Sequence, residues 1–140
     1  PVAHAGEEGP AAYIREALDR LAVVRIDHGV RCDEDPALVD ELAARRVPLT
    51  VCPLSNLKLR VVKDLADHNL GRLLAAGLCV TINSDDPAYF GGYIADNYRA
   101  TAAALGLDAA ALKQLAQNAV EAAWLPLTRR VQLLAEIDAL

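Results

Sequence analysis

Methionine is missing from all 140 residues. A chain without an initiator reads as part of a longer protein, and Pro1-Val2-Ala3-His4 reads as a strand caught near its end. Aromatic residues are scarce at 4%, so the core has to be built from Leu, Val, Ile and Ala. Cysteine is sparse too. Cys32, Cys52 and Cys79 are odd in number and show no C-x-x-C spacing, which argues against a disulfide framework or a cysteine zinc knuckle. Reduced, buried thiols in a cytoplasmic protein are the expectation. No apolar run approaches the roughly 18 residues needed to span a bilayer, and no signal peptide is visible in this stretch. Positive charge is short: 14 Lys and Arg against 19 Asp and Glu leave a net charge of −5. That speaks against a nucleic-acid or anionic-membrane partner, which needs a basic footprint.

What is present is globular. Hydrophobic residues make up 54% and charged residues 24%, enough apolar material for one domain or part of one. Four short apolar runs read as buried strands: Val2-Ala3, Val23 to Ile26, Val47 to Val51 and Leu78 to Ile82. Between them lie helical patterns. One starts near Pro10 with Ile14, Leu18 and Leu21 in step. The next starts near Pro36 with Leu38, Val39, Leu42 and Ala43. A third runs from Leu70 to Ala76 and stops at Gly77. After the fourth strand the chain turns helical, from about Tyr93 to Leu105, then from a cap at Asp108, then beyond Pro126 to the end. Alternating strands and helices predict parallel pairing with helices covering the sheet.

The polar residues fall in a pattern. His4 and Glu7 follow the first strand, Asp27-His28 the second, Cys52 to Asn56 the third, and Asn83-Ser84-Asp85-Asp86 the fourth. In α/β folds the C-terminal strand edge is where active sites are built. A complete (β/α)8 barrel takes about 250 residues. Four βα units with extra C-terminal helices therefore predict the C-terminal half of a TIM-type barrel, with residues 1–140 as a partial domain. An open doubly wound sheet is the alternative. It lacks the G-x-G-x-x-G or G-x-x-x-x-G-K-[ST] loop that would support nucleotide phosphate binding.

His4-Ala5-Gly6-Glu7, Arg25-Ile26-Asp27-His28-Gly29, Cys52-Pro53-Leu54-Ser55-Asn56 and Asn83-Ser84-Asp85-Asp86-Pro87 occur in that order. Together they resemble the C-terminal signature of the adenosine/AMP deaminase family of metal-dependent amidohydrolases. The resemblance covers residues 1 to about 100. It implies that His4 and Asp85 bind Zn2+ and that Glu7 donates a proton to the purine ring. It further implies that His28 positions and deprotonates the attacking water and that Asp86 hydrogen-bonds the base. The cytidine-deaminase motifs H-x-E and P-C-x-x-C are absent.

Each residue also has a plainer reading. His4 and His28 fit structural histidines, Glu7 a helix-start carboxylate, and Asp85-Asp86-Pro87 a solvated turn. Adjacent carboxylates in a cleft repel unless a cation or a proton intervenes, which favours the metal reading. Ser55 and Asn56 are expected to shape the loop above the third strand. His68 reads as a surface residue, and Lys58, Arg60 and Lys63 as a solvated face. The family pattern adds a H-x-H pair as two further zinc ligands, and this chain contains none. The expected activity, hydrolysis of adenine to hypoxanthine and ammonia in purine salvage, thus belongs to a longer parent. Deamination of adenosine or of an N6-substituted adenine, and non-catalytic purine binding, are the competing readings. Tyr89, Phe90 and Tyr93 lie just past the fourth strand and favour a bare base over a nucleoside. The partner implied is a small purine base; no signal for an oligomeric state is present.

Overall fold

The alternation of strand and helix read from the sequence is present in a computed structural model that describes residues 1–140. In chain order the elements are β1 (Val2–Ala5), α1 (Ala11–Leu21), β2 (Arg25–His28), α2 (Pro36–Arg45), β3 (Leu49–Val51) and α3 (Pro53–Lys58). There follow α4 (Leu70–Ala75), β4 (Val80–Ile82), α5 (Pro87–Phe90), α6 (Ile94–Leu105), α7 (Ala109–Ala122) and α8 (Leu127–Asp138). Short 3-10 turns occupy Val30–Glu34 and Leu65–Asp67. The strands form one parallel sheet in the order β1-β2-β3-β4. Consecutive strands can lie parallel because a helix carries the chain back across the sheet each time.

Local chemistry sets the helix ends. Asp35 accepts a hydrogen bond from the Leu38 amide, and Pro36 follows at the first helical position of α2. Asp108 caps α7 by accepting from the Ala111 amide at 2.8 Å. Gly106 closes α6 at φ 64. Pro36, Gly106 and Asp108 are the residues from which these helix limits are expected in the sequence. Strands β2, β3 and β4 each begin two residues later than the apolar run. Val23, Val47 and Leu78 are buried but precede the ladder, because an apolar run marks burial and not pairing. Two short helices, α3 and α5, were missed. Each starts at a proline directly after a motif residue that stands at its N-cap, Pro53 after Cys52 and Pro87 after Asp86.

The register divides the sheet by face. Residues paired across strands point the same way, and successive residues alternate. Ala3, Ile26, Leu49 and Val80 form one row. Ile26, Leu49 and Val80 are fully buried with Ile14, Leu18, Leu38, Leu42 and Leu70 from the covering helices. The neighbouring row is His4, Asp27, Thr50 and Thr81. Thr50 Oγ1 donates to Asp27 Oδ1 at 2.7 Å, and Asn83 Nδ2 donates to Thr81 Oγ1 at 2.7 Å. The apolar face builds the core and the polar face leads up to the C-terminal edge. Helix α7 packs against β4, where buried Asn118 donates to the Val80 carbonyl at 2.9 Å. No helix is long and apolar enough to cross a membrane.

Candidate active site

The C-terminal ends of all four strands contribute to one polar surface. An open pocket there is lined by His4, Arg25, Asp27, His28, Thr50, Cys52, Asn83 and Asp85. The rings of His4 and His28 stand 5.2 Å apart, and His4 Nδ1 lies 3.5 Å from Asp27 Oδ2. Four of the five residues singled out from the sequence are thus at one edge: His4, Glu7, His28 and Asp85. The fifth, Asp86, is exposed. Its Oδ1 accepts from the Ala88 and Tyr89 amides and caps α5.

Two site residues adopt a backbone conformation that L side chains rarely take. His28 has φ 66 and Asp85 has φ 58. Such conformations cost on the order of 1–3 kcal/mol each and cluster at functional sites. Gly6, in the first motif, has φ +67, and a Cβ there would run into the Ile14 side chain. A glycine at this point lets the chain turn sharply and carry Glu7 back over the sheet edge.

Glu7 and His28 form a pair. His28 Nδ1 lies 3.2 Å from Glu7 Oε1. A carboxyl oxygen at that distance places the ring hydrogen on Nδ1 and leaves Nε2 as the basic nitrogen. Asn56 Nδ2 donates to the same Oε1 at 2.9 Å. It also lies 3.5 Å from His28 Nδ1, but two donors face each other there, so that contact is not a hydrogen bond. Burial, followed by the charges of Asp85 and Glu8, pushes the Glu7 carboxyl above its ordinary range; the Asn56 hydrogen bond and His4 oppose this. Burial, followed by the charge of His4, lowers the His28 imidazole, against Asp85 and Asp27. Both shifts favour the neutral form of each group.

Ser55 and Asn56 do more than shape a loop. Ser55, fully buried at the start of α3, donates to Asp85 Oδ2 at 2.7 Å. This hydrogen bond fixes the orientation of the Asp85 carboxylate. His68 corrects the surface reading: it is 3% exposed and hydrogen-bonded to Asn56. Its signal in the sequence was weak, a single histidine inside a helical region.

The donors here fit a zinc ion. An imidazole nitrogen and a carboxylate oxygen are groups that zinc accepts, and His4 and Asp85 supply them in one open pocket. Ligand atoms of His28, Cys52 and Asp85 lie within 4.8 Å of one another. Cys52 is the weaker candidate of that trio. Its thiol donates to the Thr50 carbonyl at 3.5 Å and is pushed by burial up to about 12, so it stays a neutral thiol, whereas the thiolate is the ligand form.

The arrangement defines a class: a parallel α/β sheet covered by helices, with carboxyl groups and imidazoles gathered at its C-terminal edge. The profile of the adenosine deaminase family, described as "Adenosine deaminase", matches residues 1–140. The chain belongs to that family. It is 61% identical over 137 residues to an adenine deaminase of Cupriavidus necator, covering 98% of this chain and 39% of that protein. The crystal structure of an adenine deaminase from Arthrobacter aurescens superposes with a TM-score of 0.96 at 53% identity, over 99% of this chain and 42% of that one. An amidohydrolase from Burkholderia ambifaria, solved with bound zinc, superposes with a TM-score of 0.88 at 27% identity, over 99% of this chain and 40% of that one. The chain spans about two fifths of the length of these relatives, and its four strands match part of the adenine deaminase barrel.

Proposed function

We propose that the full-length protein hydrolyses adenine to hypoxanthine and ammonia in cytoplasmic purine salvage. In this reading residues 1–140 supply the second half of its (β/α)8 barrel. The observation that carries it is the pairing of Glu7 with His28 at 3.2 Å beside Asp85 and His4, on a chain 61% identical to an adenine deaminase.

His4 and Asp85 would hold zinc, with the remaining protein ligands drawn from sequence outside this chain. Zinc bound there would lower the pKa of water toward about 7 and so make a nucleophile available at neutral pH. The chain's own residues do the rest. His28 Nε2 faces the incoming water and accepts its proton. Glu7, whose carboxyl is pushed above its ordinary range by burial, protonates the ring nitrogen next to C6, so negative charge does not build up on the purine. Asp86 keeps Oδ2 for an N–H of the imidazole edge while Oδ1 caps α5. Three free, buried cysteines accord with a reducing compartment.

Two aromatics support a bare base over a nucleoside. Tyr89 is 80% and Tyr93 72% exposed, so neither is spent on packing beneath the next helix. Both follow Asp86 closely, with Gly91 and Gly92 between them at positive φ, and they are free to fill the space a ribose would take. Discrimination would then be steric. With adenine as substrate the full-length enzyme is expected to release one ammonia per hypoxanthine formed. Unequal yields, or loss of adenine without ammonia, would contradict a hydrolytic deamination.

A further inference from the structure

The buried ring of His68 is used by nothing in the scheme above, yet it is fully hydrogen-bonded. Its Nδ1 accepts from the Leu70 amide at 3.1 Å. An amide N–H is only a donor, so Nδ1 must carry the lone pair. Nε2 therefore carries the ring hydrogen and donates it to Asn56 Oδ1 at 3.2 Å. That in turn fixes which way the Asn56 amide points. With Oδ1 held by His68, the NH2 group faces Glu7 and donates to Oε1 at 2.9 Å.

We infer that His68 is a positioning residue for proton donation, acting through Asn56 to keep Glu7 Oε1 an acceptor so that the acid's proton sits on Oε2. The inference rests on the deaminase reading of this site. Its physical content lies in the alternative. Were the Asn56 amide turned over, its carbonyl would face Glu7 and accept the carboxyl proton. The acid would then be hydrogen-bonded to the protein instead of to the purine. Oε1 already receives Asn56 Nδ2 and, at 3.2 Å, His28 Nδ1. A carboxyl oxygen with two donors on it is the oxygen that does not hold the proton. The chain Leu70 N–H to His68, His68 to Asn56, Asn56 to Glu7 thus has one consistent direction. Every link has both partners buried or half-buried.

The neutral state the chain requires is also the favoured one. Burial, with a smaller contribution from Arg72 that Asp33 opposes, lowers the His68 ring to about 4. The ring therefore stays uncharged throughout the neutral range.

Two substitutions in the full-length enzyme separate positioning from structural support. His68→Asn retains a side-chain oxygen at the Nδ1 position, which can still accept from the Leu70 amide as a helix cap does, but loses the donor to Asn56. His68→Gln keeps a donor at the Nε2 position and loses the cap. We expect His68→Asn to lower kcat for adenine by about tenfold or more, the usual scale for losing an outer-shell partner. Its KM and zinc content should stay near wild type, and the alkaline limb of its kcat profile should move. His68→Gln should recover kcat to within about threefold. A His68→Asn enzyme with unchanged kcat and pH profile, or a His68→Gln enzyme as slow as His68→Asn, would overturn the assignment. Nitrogen-15 spectra of the unsubstituted protein at pH 7 test the same chain without substitution. They should show His68 neutral with hydrogen on Nε2, and hydrogen on Nδ1 or a protonated ring would contradict it. Failure of the unsubstituted enzyme to turn over any purine counts against the deaminase reading, and the ring's tautomer is still read independently.

Discussion

Replacing Glu7 by Gln in the full-length enzyme is expected to lower kcat by about a hundred- to ten-thousand-fold, the range that a positioned general acid contributes. Zinc content and KM should change little. Glutamine keeps the shape of the side chain, and its amide oxygen can still accept from Asn56 Nδ2 and His28 Nδ1, as Glu7 Oε1 does. What it cannot do is give up a proton to the ring nitrogen. The interaction lost exists only as the ring is protonated, so the loss falls on kcat. The alkaline limb of the kcat profile should vanish with it. Burial is the largest cause of the raised Glu7 carboxyl. The protonated form therefore persists to higher pH than for a free glutamate and is lost as pH rises through that raised value. A Gln variant with near wild-type kcat would reduce Glu7 to a structural partner of Asn56 and His28.

His4→Ala and Asp85→Ala should each reduce turnover to background by removing metal. Zinc sites rest on three or four protein ligands, and this chain offers His4 and Asp85 toward that number. Loss of either leaves too few donors to retain the ion. The two variants differ in a useful way. Asp85 sits at φ 58 and accepts from Ser55 at 2.7 Å, so its removal also strands a buried hydroxyl. His4 is exposed at the pocket mouth, so its removal leaves the fold nearly undisturbed. Both purified proteins should contain zinc far below one equivalent. His4→Ala should melt close to the wild-type temperature once both are compared without metal. Full zinc occupancy in either variant would remove that residue from the ligand set.

Much of this site was legible in the sequence because the strand ends carried chemistry that strand interiors do not. His4, Asp27-His28, Cys52 and Asp85 each follow or close an apolar run, and parallel pairing brings those ends to one edge. The helix limits at Pro36, Gly106 and Asp108 were readable because capping is local. The strand starts were not, since Val23, Val47 and Leu78 are buried without pairing. The supporting shell was also hidden. Ser55, Asn56 and His68 touch Asp85, Glu7 and one another across 12 to 49 residues of sequence. Such contacts are a property of the packing and leave no spacing to recognise. Asp86 shows the converse: its adjacency to Asp85 was plain, whereas its work as a helix cap for α5 appears only in the folded chain.

The most direct test of the whole account is kcat/KM of the full-length, zinc-loaded protein for adenine, adenosine and an N6-alkyl adenine, followed by ammonia release. Adenine should be turned over and preferred, because the exposed Tyr89 and Tyr93 are free to fill the space a ribose would take. Adenosine turned over as well as adenine or better would contradict the bare-base assignment. Purine binding without any ammonia would contradict the catalytic one.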